Sequence, residues 1–553
     1  MGFLTLVLVL AVLGLGIWIF KRRKEPDEPR PPSTAYGSAR FANGTDLKSY
    51  GLLGTAGYPL GVWYGVLDGG VYTPNSLRYS GDRHRLICAP TRSGKFVSCV
   101  GPLLLNDVDS SALVVDIKGE AAAITGEWRK QAGPIYVLDP WGVSGHPGAS
   151  FNPLDLLKPD SPDLAEDAAM LADAIVVEGA DVDRHWNEEA KGFISALMLH
   201  VACDPGETDK TLTRVREIMT LEPEEFAKIL AVMARSDLAQ GLIRRGSARF
   251  MQKQDKESSG VISTAQQQTH FLDSPRLKAA LAKSSFDFAD LKKHLCTIYL
   301  VLPAERVSTF NRWLRLLISV ALTTLQRTPG KPTEPIKFIV DEFPALGAGL
   351  KIVEAGIGLM AGFGVQFHII VQDFNQLNDT YGNRWQSFVA NSGIVQVFGV
   401  RDLFTAEYVS KLTGDTTIRV LGESYSEISK EQSHRGFSGK GQNVNEAHRL
   451  LLTPGEVMTL PEHVQLIFPA NGNPVLLRKH RWFEERPWAE RGKNPPDIFK
   501  PLSPVSGPLV VTGGETYSLG DGAGITGDGA DRGPTREMGT PSSRAPTGGL
   551  TGG

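Results

Sequence analysis

Short, uninterrupted apolar runs recur along this chain, each closed by a polar or glycine-containing loop. Leu86 to Ala89, Ala112 to Val115 and Pro134 to Leu138 come first, and Thr297 to Leu302, Phe338 to Val340, Phe367 to Val371 and Ile394 to Phe398 follow after a long gap. Runs that are apolar at every position suit strands buried on both faces, as in a parallel sheet covered by helices. Between Arg85 and Lys118 the order is strand, helical stretch, strand, which is the βαβ unit of an α/β fold. The gap itself has another texture: NEEAKGFISALMLHV and EPEEFAKILAVMARSDLAQGLIRR are amphipathic with few β-branched runs, so residues 181–283 read as an all-α domain. One α/β domain with a central, mostly parallel sheet, in two parts at 36–180 and 284–500 and interrupted by helices, accounts for the order.

The N-terminus adds a membrane element. Phe3 to Phe20 carries no charge and as a helix spans roughly 27 Å, close to the hydrocarbon core of a bilayer. A cleaved secretory signal is the other reading, but no basic residue precedes the run and Lys21-Arg22-Arg23-Lys24 follows it at once. Residues 1–24 are therefore expected to be one transmembrane anchor whose basic flank holds the rest of the chain in the cytoplasm. Residues 25–35, charged and proline-rich, read as an extended linker. Glu423 to Glu446 is polar and reads as an exposed loop, and 501–553, rich in Gly, Pro, Ser and Thr, as a disordered tail. A formal charge of −3 argues against a protein that coats nucleic acid by bulk electrostatics. The 4 cysteines lack CxxC spacing and read as reduced residues, neither zinc ligands nor a disulfide framework.

Chemistry concentrates at Ala89-Pro90-Thr91-Arg92-Ser93-Gly94-Lys95-Phe96, directly after an apolar run and before an expected helix. A strand, a glycine-containing loop and a helix N-terminus present backbone N–H groups to phosphates, with a lysine reaching the β and γ positions. Thr91, Arg92, Ser93, Gly94, Lys95 and Phe96 are accordingly the candidate nucleotide-binding residues. The full phosphate-loop pattern asks for glycine at Ala89 and for serine or threonine at Phe96. Without that hydroxyl, carboxylate, phosphate and water oxygens must complete the shell of Mg2+. Taken alone, the stretch is equally a Gly-Lys turn in an ordinary βα loop.

Its second half is Ile336 to Val340, an apolar strand ending in Asp341-Glu342. One carboxylate there can orient Mg2+ and the next can polarise an attacking water. Lys95 is assigned to phosphate, Asp341 to the metal and Glu342 to water activation, with ATP and Mg2+ as the cofactors. Gln372, at the end of the FHIIV run, is either a sensor of the γ-phosphate on an adjacent strand or a polar strand end. Asp116 to Glu120 either closes a strand at the ligand-gathering edge of the sheet or caps a turn.

These residues belong to a longer ordered pattern: YGSARFA, APTRSGK, VVDIKGE, FNPLD, RHWNEEAKGFISAL, SSGVISTAQ, LVLPAE, FIVDEFPALG, VQDFNQLNDTYG, TAEYVSKLTG and LLTPGEVMTLPE, between about Tyr36 and Glu485. In it the chain resembles the type IV secretion coupling proteins, the TraG/TraD-like conjugative DNA-transfer ATPases. The resemblance implies a RecA-like P-loop NTPase with an inserted all-α domain, assembled as a homohexamer on the bacterial inner membrane with ATP sites between subunits. It implies as partners the relaxosome, single-stranded DNA with its relaxase, or protein effectors, together with components of the secretion channel. Lys95, Asp341, Glu342 and Gln372 take the roles given above.

Members commonly have two membrane helices, whereas one is visible here, and Phe96 stands where the family has a small residue. Some members place an arginine finger soon after the acidic pair. Here the stretch is GIGLMAGFG, which leaves Arg384 or Arg401 as substitutes. By resemblance the helical insertion meets the cargo. Within it Trp186 reads as a packing residue, and Arg244, Arg245 and Arg249 as either a phosphate-touching face or solvated helix surface. Two rival functions remain: a membrane-tethered docking platform with little or no hydrolysis, suggested by Ala89 and Phe96, and a RecA-like DNA pump outside secretion.

Overall fold

The computed structural model describes residues 33–67, 72–177, 184–347, 353, 356–426, 439–493, 508–510 and 516–518. They fall into two units, within Met1–Phe499 and within Lys500–Gly553.

The strands of the first unit, in chain order, are β1 (Tyr58–Val66), β2 (Tyr72–Tyr79), β3 (His84–Cys88), β4 (Ala112–Asp116), β5 (Ile135–Leu138), β6 (Thr297–Val301), β7 (Ile336–Val340), β8 (Val365–Val371), β9 (Ser392–Val397), β10 (Asp415–Ser426), β11 (Gly439–Leu450), β12 (Val464–Pro469) and β13 (Val475–Arg478). All but β10 and β11 join one 11-stranded sheet in the order β2-β1-β13-β12-β9-β3-β8-β7-β4-β6-β5. From β9 to β5 every neighbouring pair is parallel. β12, β13, β1 and β2 extend the sheet beyond β9 as an antiparallel wing. The reason is visible in the side chains: β3, β4, β6, β7, β8 and β9 are buried at every position, which requires a layer on each face. On one side the helix Val307–Arg327 supplies it, with Trp313, Leu316, Leu317 and Leu325 fully buried.

The strand order positions the site. β8 lies between β3, which feeds the glycine-containing loop, and β7, which ends in Asp341. Because all three run parallel, their C-terminal ends open onto one edge.

Between β5 and β6 the described elements are helices, among them Leu164–Ile175, Arg184–Cys203, Leu212–Met219, Pro223–Met233, Leu242–Met251 and Asp255–Thr269. Arg184–Cys203 is the central one. Its Phe193 stacks on Phe250 at 4.4 Å, and its Trp186 lies over Gly260, where a Cβ would come within 2.6 Å of the indole.

Two sequence expectations change. The stretch 423–446 is not a loop where it is described: β10 and β11 form a separate two-stranded ribbon paired from Asp415↔Leu450 to Ser426↔Gly439. As a ribbon outside the main sheet it has no core to cover, so it lacks the apolar pattern that marks a strand. Within the second unit, β14 (Pro508–Val510) pairs antiparallel with β15 (Thr516–Ser518). The expected anchor at 1–24, linker residues 25–32 and the rest of the tail lie outside the described residues. Among the described residues, no helix is long and apolar enough to cross a membrane.

The chain enters the described body along the base of the ribbon. Ser38 bridges Thr416, Ala39 N–H donates to Asp415 O at 2.9 Å, and Tyr36 N–H donates to Thr417 Oγ1 at 3.1 Å. Gly37 permits this approach: a Cβ there would meet Asp415 O at 2.2 Å, at a φ of +142°.

Candidate nucleotide site

β3 ends at Cys88, and the loop begins with Ala89, fully buried, whose N–H continues the sheet by donating to Val371 O at 2.9 Å. Ala89 is not among the left-handed residues of the chain. A Cβ is therefore tolerated where the phosphate-loop pattern has glycine. The left-handed positions are Arg92 (φ 64°) and Gly94 (φ 89°). Left- and right-handed residues in succession turn neighbouring N–H groups toward one point, the geometry of an anion-binding nest. Ser93 Oγ donates back to Pro90 O at 2.6 Å and closes the loop on itself. Thr91 and Arg92 are exposed.

The helix that follows starts with a wide π turn, Phe96–Val100, and continues as Gly101–Asn106. Phe96, where a hydroxyl was expected, packs against the main core and against the cluster of Val97, Leu105, Ile124, Trp482 and Trp488. Position 96 thus serves packing.

Lys95 Nζ donates to Glu342 Oε1 at 2.6 Å, and Gln372 Nε2 donates to Glu342 Oε2 at 2.9 Å. Side chains at the ends of β3, β7 and β8 therefore form one hydrogen-bonded chain. Lys95 and Glu342 are 11% and 23% exposed, so solvent screens this pair less than it would an open surface pair. Glu342 adopts a left-handed backbone (φ 54°, ψ 50°), a conformation costing a non-glycine residue about 1–2 kcal/mol. The turn behind it, Phe343–Leu346, is anchored by buried Arg315, which donates to Leu346 O at 3.1 Å.

Asp341 stands beside this chain. Burial first, then the nearby Glu342 and Asp116 carboxylates, push its carboxyl up to about 6, opposed by Lys95 and Lys118. Its Oδ1 is buried without a hydrogen-bond partner among the described residues. A buried carboxylate oxygen of this kind suits a hard divalent cation, and Mg2+ is commonly held by one or two carboxylates plus phosphate and water. The donor set therefore fits Mg2+ without a hydroxyl at 96. Asp116 is also buried and pushed up to about 6 by burial, but its oxygens accept from Lys118 N–H (3.2 Å) and Ala122 N–H (3.0 Å). It caps the start of the helix Glu120–Arg129, the structural alternative of the sequence reading.

Two residues near the site carried no sequence signal. Gly399, just beyond β9, packs on Ser93 and Pro90, and Lys479, just beyond β13, donates from Nζ to Ser93 O at 2.7 Å. Arg401 is exposed and has no partner among the described residues, whereas Arg384 lies in the turn Gly382–Trp385. In the helical insertion, Arg249 pairs with Glu189, Arg244 with Asp237, and Arg245 donates to Gln240 O at 3.2 Å.

A family model described as type IV secretory system conjugative DNA transfer matches residues 40–505. Conjugal transfer protein TraG of Escherichia coli is 29% identical over 461 residues, covering 77% of this chain and 71% of the relative. Protein VirD4 of Rhizobium radiobacter is 26% identical over 462 residues, 82% of this chain and 64% of the relative. Among solved structures, the bacterial conjugative coupling protein TrwBdeltaN70 superposes with a TM-score of 0.58 at 17% identity, covering 80% of this chain and 92% of that one. That likeness, with the mostly parallel sheet, makes the fold RecA-like α/β. On the family match over most of its length, the chain belongs to the type IV secretory system conjugative DNA-transfer family, the coupling proteins of conjugation.

Proposed function

We propose that this coupling protein hydrolyses ATP where β3, β8 and β7 end, and uses that cycle to pass relaxase-bound single-stranded DNA, or a protein substrate, to the secretion channel. The observation that carries the reading is the Lys95–Glu342–Gln372 cluster, which joins positions 247 and 30 residues apart beside the unpartnered Asp341 oxygen. A lysine on a phosphate loop and a carboxylate pair on a nearby strand are the parts phosphoryl transfer to water requires. TrwB, similar in fold, has been solved in complex with ADP and Mg2+ and with a non-hydrolysable ATP analogue, which supports the cofactor reading.

The residues divide the work as follows. The Lys95 side chain and the N–H groups of Arg92, Gly94 and Lys95 bind the triphosphate. Asp341 would hold Mg2+, which when bound neutralises charge on the phosphate oxygens. Glu342 takes the proton of the attacking water at a carboxylate oxygen, and the Gln372 amide fixes that carboxylate's orientation through Oε2. Lys95 and the water compete for Oε1: when the ammonium moves to phosphate, Oε1 is released to act as base.

The anchor at 1–24, a single pass of the inner membrane with the bulk of the chain cytoplasmic, belongs to the same proposal, as do the homohexamer and the helical insertion at 181–283 as the cargo-facing part. Arg401 is the favoured arginine to reach a neighbouring subunit's site, because its guanidinium is exposed and unpaired among the described residues. The decisive measurement is the ATPase rate of the full chain, under conditions that permit ring assembly, with and without single-stranded DNA. Stimulation supports the motor. Nucleotide binding with no turnover in the assembled ring would establish a docking platform, and normal DNA transfer after deletion of the gene would exclude an essential role in conjugation.

A further inference from the structure

The geometry points to Lys479 as a positioning residue of the nucleotide site, one that grips the phosphate loop from its carbonyl side and lends it positive charge without touching phosphate. This rests on the reading of Ala89 to Lys95 as the nucleotide loop.

Lys479 follows β13, in the antiparallel wing of the sheet, and reaches the loop across Phe398, whose ring centroid lies 4.6 Å from its Nζ. The ammonium donates to Ser93 O at 2.7 Å. In a planar trans peptide the C=O and N–H point in opposite directions. Holding the Ser93 carbonyl toward Lys479 therefore aims the Gly94 N–H away from it, to the face of the loop opposite the lysine. A charge on the carbonyl side also polarises that peptide and makes its N–H a stronger donor.

The grip has a second point. Three residues on, Trp482 N–H donates to Val97 O at 3.3 Å, in the π turn that follows the loop, and its indole covers Gly101, where a Cβ would lie 2.7 Å from Cδ1. The segment 479–482 thus holds the loop through a side chain and the first helical turn through its backbone.

Packing alone does not require an ammonium here. Taking a cation even partly out of water is costly, and an apolar chain of similar length would cover Phe398 at lower cost. Burial pushes the amine down to about 8, with Cys99 and Glu462 acting to raise it and Arg481 to lower it, while His463 supplies the backbone carbonyl for Lys479 N–H at 2.8 Å. The ammonium stands next to the loop whose N–H groups would face an anion.

The test compares K479M, K479R and K95A in the full chain, reading the Kd of a fluorescent ATP analogue together with kcat and KM for ATP. K479M is expected to raise Kd and KM about tenfold, because the loop loses both the charge behind the Gly94 N–H and the hold on its carbonyl, with a smaller change in kcat. K479R is expected to restore affinity. Wild-type affinity should decline as the pH rises through about 8, where the amine loses its proton, and K479R should hold its affinity over the same range. If K479M misfolds, the contrast between wild type and K479R across that pH range still decides. Wild-type Kd in K479M beside lost binding in K95A would overturn the role of Lys479 and leave the site standing, as would identical pH profiles for wild type and K479R. Retained binding in K95A would overturn the site, and the role of Lys479 with it.

Discussion

Replacing Glu342 by glutamine removes one proton acceptor and almost no volume. Both carboxylate oxygens are engaged, Oε1 by Lys95 at 2.6 Å and Oε2 by Gln372 at 2.9 Å. A carboxamide offers one oxygen to these two donors and turns an N–H toward the other, so either the ammonium or the amide loses its acceptor. The left-handed backbone at 342 is the same for both residues, so its strain cancels in the comparison. If Glu342 is the base, E342Q should lower kcat by the usual worth of general-base catalysis, about 100- to 10,000-fold. That is about 3–5 kcal/mol of transition-state stabilisation. Lys95 stays in place for phosphate, so the Kd for nucleotide should hold within about threefold, the signature of an interaction made in the transition state alone. Steady-state ATPase and nucleotide titration on the same preparation measure both quantities. A variant that binds ATP and still turns over within about tenfold of wild type would refute the assignment of Glu342 as base.

K95A should abolish ATP turnover, and unchanged turnover would remove Lys95 from the site. D341N tests the buried carboxyl. Its folded-state value, about 6, lies above the ordinary 3.8, so its contribution to stability is full below about 4 and is lost as the pH rises through about 6. Ionised Asp341 is therefore a burden at neutral pH without metal, and D341N should melt higher than wild type there, the gap closing as the pH falls toward 4; a lower melting temperature for D341N at neutral pH counts against the account. F96S, which restores the expected hydroxyl, should destabilise the fold by about 1–3 kcal/mol in chemical denaturation, because Phe96 fills space between two clusters. Higher turnover at limiting Mg2+ in F96S would show instead that the missing hydroxyl matters.

The parallel half of the sheet was legible because burial on both faces writes itself into composition. β7 reads IKFIV and β8 reads VQFHIIV, and each ends at a residue of the cluster, Asp341 or Gln372, so strands and candidate site residues were found by one signal. The antiparallel wing gave no such signal. β1 contains Pro59, Gly61 and Gly65, β2 contains Pro74, and β13 alternates buried with half-buried positions over only 4 residues. Glycine and proline inside a strand argue against it on propensity, and tertiary packing overrides them here.

The same asymmetry governs the site. Departures from a motif are read in sequence as losses, and two stood out: no glycine at 89 and no hydroxyl at 96. Neither is a loss in the fold. Ala89 needs no left-handed backbone, and Phe96 faces a cluster built partly by Trp482 and Trp488, far along the chain. Lys479, 386 residues from the Ser93 carbonyl it binds, comes from that same distant segment. A motif encodes what the loop does to phosphate; what holds the loop is encoded wherever the chain happens to return. Phe96 and the 479–482 segment are in this sense one feature: the aromatic residue at 96 packs on the strap that Trp482 and Lys479 close over the loop. Substitution at either end should therefore be felt at the other, and the F96S and K479M effects on nucleotide affinity should fall short of their sum when combined.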